Sequence, residues 1–238
     1  MLRQLEELQI RHTSQAYLLL SVAALAWGGN VVASRFAIGE ISPMALTCLR
    51  WAVVIVIFLV MGPRRIIGEW PLLKPYWRAA LLMGAGGYTV FSAVLYVAAY
   101  YTPAVNLAIL QGTIPVLVLV GALLLHGTRI TRMQIAGVAI TLIGILVVAS
   151  KGDIHILTTL GFNFGDLLML VGCISYAGYT LSLRHRPNVP GLTLFFLMAT
   201  GAFLSSLPLL AIEVLAAKVQ WPTLKGWGVL VFSGLGRR

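Results

Sequence analysis

Charge is what this chain has least of. Asp, Glu, Lys and Arg make up only 10% of its 238 residues, where soluble domains carry about 25%. Acid is scarcer than base, with seven Asp and Glu against seventeen Lys and Arg. Cysteine is almost absent. Cys48 and Cys173 both fall inside apolar runs, which excludes a disulfide framework and leaves small core residues. The four histidines, His12, His126, His155 and His185, stand far apart in the chain at the edges of apolar runs. No HExxH, GxSxG or CxxC motif accompanies them. Intramembrane proteolysis or metal catalysis would need such clusters, so an enzyme is not expected. No P-loop is present, so ATP is not a direct energy source and no cofactor is implied.

What the chain has instead is apolar length. It is 59% hydrophobic with a mean hydropathy of +0.93. Uncharged runs of about 18 residues or more recur along it, each enough to cross a hydrocarbon core of about 30 Å as a helix. A membrane β-barrel would show short alternating segments, and these runs are continuous. The expected class is therefore all-α, a polytopic helical membrane protein whose first partner is the lipid bilayer. The net charge of +10 does not point to nucleic acid, because the basic residues are spread over short loops between apolar runs.

Turn residues divide the chain into helices expected at 16–37, 43–61, 77–101, 104–126, 131–150, 163–184 and 191–216, with a stub at 224–236. Residues 1–15 include Glu6 and Glu7 and lack the design of a signal peptide. The first span is thus expected to be an uncleaved anchor. With the N-terminus in the cytoplasm, twelve Lys and Arg fall in inside segments and four in outside ones, Arg50 lying within a helix. That asymmetry sets the expected orientation in a bacterial-type inner membrane.

One stretch recurs. Leu18 to Arg35 overlays Leu167 to Arg184 without a gap, matching Leu18, Leu19, Val22, Gly29 and Arg35 to Leu167, Leu168, Val171, Gly178 and Arg184. Pro43 then corresponds to Pro190, and Trp70-Pro71-Leu72-Leu73-Lys74 to Trp221-Pro222-Thr223-Leu224-Lys225. One copy holds five helices, an odd number, so the second copy is inverted in the membrane. Such repeats characterise secondary transporters, with the substrate held between them near the midplane. The expected organisation is a segment at 1–15, a first five-helix repeat at 16–150, a linker at 151–162 and a second repeat at 163–238. The second copy stops near the equivalent of Gly86, so the expectation is a C-terminally truncated member with seven full spans and a partial eighth. If that form is functional, it would need a partner to complete the cavity, a second copy of the chain being one candidate.

These residues resemble the EamA-type permeases of the drug/metabolite transporter superfamily. The resemblance rests on Trp27-Gly28-Gly29-Asn30, on Ser42-Pro43 with Arg50, and on Tyr101-Thr102-Pro103-Ala104. It continues through Pro115, Gln134 with Gly137 and Gly144, and Gly165-Asp166-Leu167. It covers nearly the whole chain after residue 15. The resemblance implies ten helices as two inverted repeats around a central cavity, and the movement of small metabolites such as amino acids. One departure is Gly127-Thr128-Arg129, where the family usually has Gly-Glu-Arg. The related small multidrug-resistance proteins exchange protons on an intramembrane carboxylate. Here Glu40, Glu69, Asp153, Asp166 and Glu213 all fall at helix ends or in loops, so that coupling is not supported.

The residues expected to line a substrate cavity are polar or aromatic groups inside apolar spans. Arg50 lies about 10 Å into its helix, where a charge is costly. Two roles fit it: binding a substrate carboxylate, or a structural role capping carbonyls or pairing with Glu40. Asn30, Asn106 and Gln111 must find partners in lipid and so face the bundle interior. Trp27, Tyr88, Tyr176 and Tyr179 are aromatics away from the interfacial belts, and serve as cavity walls or as core packing. Pro115 is expected to kink its helix and is the candidate hinge. Gly84, Gly86 and Gly87 are expected to let helices approach closely.

Overall fold

The computed structural model describes residues 2–61, 63–150, 161–186 and 188–235, and among these it contains helices and turns only. α1 spans Leu2–Phe36, α2 Pro43–Met61, α3 Pro63–Leu73, α4 Trp77–Gly84 and α5 Phe91–Tyr101. α6 covers Ala104–Gln111, α7 Ile114–His126 and α8 Arg132–Ser150. α9 is Phe164–Ser182, α10 Gly191–Leu215 and α11 Leu224–Leu235. Five stretches are long and apolar enough to cross a membrane: Pro43–Val60, Ile66–Tyr101, Ala104–His126, Phe164–His185 and Gly191–Leu215. Arg132–Val148 is a shorter apolar helix. The first expected span is the C-terminal part of a longer helix, since α1 begins at Leu2. Most of the expected linker, 151–160, lies outside the described residues.

Helix ends carry the turn chemistry expected of them. Pro43 and Pro63 open α2 and α3, where the missing N–H costs no hydrogen bond. α7 closes on Gly127 in the left-handed conformation at φ +60°. There the amides of Gly127 and Thr128 return to the carbonyls of Leu123 and Ala122, at 3.0 and 3.2 Å. Asn163 and Asp166 form a capping box at the start of α9.

Two expected helices depart from regularity. The third expected span is α4, a π-helical turn over Ala85–Val90, and α5. The wider turn brings Gly87 against Tyr179, so closely that a Cβ there would lie 2.3 Å from the ring. Gly84 likewise meets the backbone of Met198, whereas Gly86 has open space. The fourth expected span is broken at Gly112-Thr113, and Pro115 follows in the first turn of α7. Gly112 and Thr113 both keep right-handed helical backbone angles, so the interruption lies within one span, just ahead of the proline. The carbonyl of Leu110, released at this break, accepts bonds from the Thr113 hydroxyl at 2.6 Å and from Cys173 Sγ at 3.4 Å. Cys48 and Cys173 are both buried and free.

Within the bundle α2 packs along α10. α9 packs along α5, α10 along α4, and α11 along α1 and α2. Trp51, Phe91, Leu95, Met169 and Leu230 are fully enclosed. Large apolar side chains face outward along the same helices, among them Val60, Leu82, Leu124, Val148 and Leu215. In water such a surface would be a liability; against lipid tails it carries no penalty.

Hydrogen bonds sort the helix ends into two groups. At the first end α1 and α5 finish and α2, α6, α9 and α11 begin. Arg35 there donates to the carbonyls of Ala99 and Thr102, and Ser42 to Glu213 at 2.6 Å. At the second end Glu69 accepts from Thr193, and Arg184 donates to Thr128 at 2.7 Å.

Candidate functional site

Seven of the eight expected cavity residues converge in the middle of the bundle. α1 presents Trp27 and Asn30 one turn apart, hence on one face. Trp27 Nε1–H donates to Gln111 Oε1 at 2.7 Å. Its ring meets Tyr176 edge-on, with centroids 5.0 Å apart. Tyr176 meets Tyr179 at 5.4 Å, and Tyr179 meets Tyr88 at 5.1 Å with their hydroxyls 2.9 Å apart. Tyr88 stacks on Trp51, with centroids 4.8 Å apart and planes within 10°. Next to Trp51 stands Arg50, its guanidinium carbon 5.1 Å from that ring. Arg50 Nη1 donates to the Tyr96 hydroxyl at 2.6 Å, and Tyr96 donates to Asn30 Oδ1 at 3.2 Å. The circuit closes where it began. Its members come from α1, α2, α5, the π-helical turn and α9.

Depth follows from helix register. Arg50 stands about 10 Å from the start of α2, Tyr88 about 16 Å from the start of α4 and Tyr176 about 18 Å from the start of α9, at 1.5 Å per residue. The circuit thus lies in the central part of a core about 30 Å thick.

Its electrostatics are one-sided. Arg50 is 1% exposed and Asn30 6% exposed. Arg50 Nη2, Asn30 Nδ2 and Gln111 Nε2 meet no acceptor among the described residues. Most buried polar groups have a partner, and a buried cation lacking an anion is expensive. Glu40, the pairing partner considered for Arg50, instead accepts from Thr223 at the first end. Aromatic faces and unpaired N–H donors therefore meet in the middle of the bundle.

Asn106 stands elsewhere. Its Nδ2 lies 3.2 and 3.3 Å from the two oxygens of Asp166, which also accepts from the Thr102 hydroxyl at 2.6 Å. It belongs to a helix-end network rather than to the circuit. Tyr96 and Trp51 are members that the sequence reading did not single out. Both had the same signal as those chosen, an aromatic side chain deep in an apolar span, and Trp51 directly follows Arg50. The structure also joins His126 and His185, distant in sequence, with their Nε2 atoms 3.2 Å apart at the second end. The ring centroids are 5.4 Å apart, close to the sum expected for nitrogens meeting head-on across one N–H···N bond. His155 lies outside the described residues.

Comparison with known proteins fits a membrane bundle of this kind. Residues 14–150 match the EamA-like transporter family, and the chain belongs to that family. It is similar to the uncharacterized transporter YyaM of Bacillus subtilis strain 168, at 25% identity over 192 residues, covering 78% of this chain and 62% of that protein. An uncharacterized transporter of Archaeoglobus fulgidus is 29% identical over 176 residues, covering 71% of this chain and 57% of that one. The chain thus spans about three fifths of the length of these curated relatives. A protein of known crystal structure superposes with a TM-score of 0.71 at 21% identity, covering 94% of this chain and 75% of that one, which establishes likeness of fold. The family and the relatives' names indicate a transporter rather than an enzyme.

Proposed function

We propose that this protein is a secondary transporter that moves a small organic metabolite, such as an amino acid, across the cytoplasmic membrane by alternating access. The observation that carries the reading is the Arg50 guanidinium, buried at mid-depth in an aromatic circuit, with Nη2 meeting no acceptor among the described residues. A solute carboxylate would supply the missing acceptor, and Tyr88, Tyr176, Tyr179 and Trp27 would flank its apolar part. Gln111 and Asn30 would offer their remaining N–H groups.

Two inverted repeats underlie this reading. Their support is a matched pattern of contacts about the α2–α10 pair. α2 packs on α11 as α10 packs on α4. Glu69, before Trp70-Pro71, accepts from Thr193 near the start of α10. Its counterpart Gln220, before Trp221-Pro222, accepts through its carbonyl from the Ser42 amide at the start of α2, at 3.0 Å. The N-terminus is placed in the cytoplasm on the Lys and Arg asymmetry.

Uptake of labelled amino acids into liposomes, measured against empty liposomes, tests the activity. Transport above that control is expected. Its absence for every solute tried would leave the chain an inert membrane fragment. Arg50→Gln is expected to abolish uptake while the protein still runs as a monodisperse peak in detergent. Loss of the folded peak in step with uptake would make Arg50 structural.

A further inference from the structure

The α4 side of the third expected span and α9 meet at the π-helical turn, where Gly87 faces Tyr179. From there toward the second end a cleft of about 330 Å³ separates them. Ala79, Leu82 and Met83 line one wall, and Ser175, Tyr179 and Ser182 the other. Along α9 the cleft runs about 10 Å, from Ser182 to Ser175 at 1.5 Å per residue. It opens sideways, since Leu82 on its rim is 72% exposed and faces outward with the other lipid-facing side chains. The hydroxyls in its walls are already engaged. Ser175 donates to the Gly86 carbonyl at 2.7 Å and Ser182 to the Gly178 carbonyl at 2.8 Å. The Tyr179 and Tyr88 hydroxyls are 2.9 Å apart. No side-chain O–H is left over for a polar solute, so these walls suit hydrocarbon.

The mouth of the cleft is basic. Arg78 directly precedes Ala79 and stands one turn before Leu82, hence on the same rim. Arg186 follows shortly after Ser182 on the opposite wall. Both are exposed, and neither pairs with a carboxylate among the described residues. Tyr76 and Trp77, both exposed, adjoin Arg78 as aromatics do at the level of lipid headgroups. This end carries Lys74, Arg78, Arg129, Arg132, Arg184 and Arg186 against Glu69, which accepts from Thr193. A second cleft, of about 460 Å³, lies between α1 and α11 beside Val32, Phe36 and Phe232. It opens toward the first end, where Glu40, Asp166 and Glu213 offset Arg35, Lys218 and Lys225. Only the α4–α9 cleft joins an apolar trough to an excess of positive charge.

We propose that the α4–α9 cleft binds an anionic phospholipid from the leaflet at the second end. Its phosphate lies between Arg78 and Arg186, and one acyl chain runs along Leu82, Met83 and the Tyr179 ring. Guanidinium groups hold phosphate through charge-assisted hydrogen bonds. The chain covers apolar wall that would otherwise border a gap. A zwitterionic lipid matches the walls but brings its own cation to a basic mouth. The bound lipid joins residues 16–150 to residues 163–235 along this side of the bundle. The inference does not depend on the transport reading, because it draws on neither Arg50 nor a solute.

Native mass spectrometry of the purified protein tests the site. The protein is equilibrated in detergent with equal amounts of dioleoyl phosphatidylglycerol and dioleoyl phosphatidylcholine, and the retained lipid is counted. The unsubstituted protein is expected to keep phosphatidylglycerol in preference to phosphatidylcholine. Each arginine beside an anionic headgroup is expected to contribute about fivefold, so Arg78→Gln with Arg186→Gln should lower the preference about 25-fold. Lys218→Gln with Lys225→Gln removes the same charge from the first end and should leave the preference unchanged. Ala79→Phe, which fills the mouth from an exposed position, should lower the count of retained lipid by one. Should the double arginine variant lose its monodisperse peak in detergent, each single variant should still give about a fivefold fall. Equal retention of the two lipids by the unsubstituted protein would overturn the anionic site. So would a fall in the lysine variant matching that in the arginine variant, or a lipid count untouched by Ala79→Phe.

Discussion

Among the described residues Arg50 has one neutral partner for one of its N–H groups, and that partner is Tyr96. The tyrosine hydroxyl also reaches Asn30, so a single oxygen organises two buried polar side chains. Removing it by Tyr96→Phe should cost about 1.5–3 kcal/mol, the range for a hydrogen bond to a charged group. The expected result is a lower melting temperature in detergent together with weaker uptake. An unchanged melting temperature would mean that Arg50 finds a substitute partner. The candidate residues were readable because polar and aromatic groups in an apolar span are few and must be accommodated inside. Their grouping was not readable. Asn106 and Gln111 lie five positions apart on adjoining turns, yet one joins Asp166 at the bundle end and the other joins Trp27 at the centre. Which neighbour each meets depends on how α6 lies between α1 and α9.

At the scale of the element, two substitutions should part ways. A Cβ on Gly201 would lie 2.4 Å from the Leu81 carbonyl oxygen, where α10 crosses α4. Gly201→Ala should destabilise by about 1–3 kcal/mol, as overpacking does. Gly178 has open space around it, and Gly178→Ala should hold or raise stability, since alanine is better in a helix by about 1 kcal/mol. Thermal unfolding in detergent compares them, and equal behaviour would refute the close crossing. Pro115 gives a third expectation. It stands in the first turn of α7, past the break at Gly112-Thr113, so Pro115→Ala should change stability by less than about 1 kcal/mol, in contrast to the larger effects of helix-interior proline. Helix positions and turns were legible from apolar runs and turn residues. The π-helical turn was not, because Gly86-Gly87 only permits it. Packing of Gly87 on Tyr179, with Ser175 donating to the Gly86 carbonyl at 2.7 Å, goes with the wider turn.

At the scale of the molecule the orientation is open to direct measurement. Alkaline phosphatase folds only outside the cytoplasm. Fused after residue 102 it should be active, and fused after residue 127 it should be inactive. The reverse pattern would invert the whole arrangement and place the Asp166 and Glu213 ties on the cytoplasmic side. The family, the all-helical class and the two-part organisation could be argued from the chain alone, because lipid forces every backbone group into a helix and makes each span a long apolar run. Composition and periodicity carry that information locally. Tertiary packing determines the rest: Trp51 and Tyr96 close the circuit, Glu40 turns away from Arg50, and His126 meets His185. These are distances between helices, fixed by interlocking side chains and close backbone crossings, and no single span encodes them.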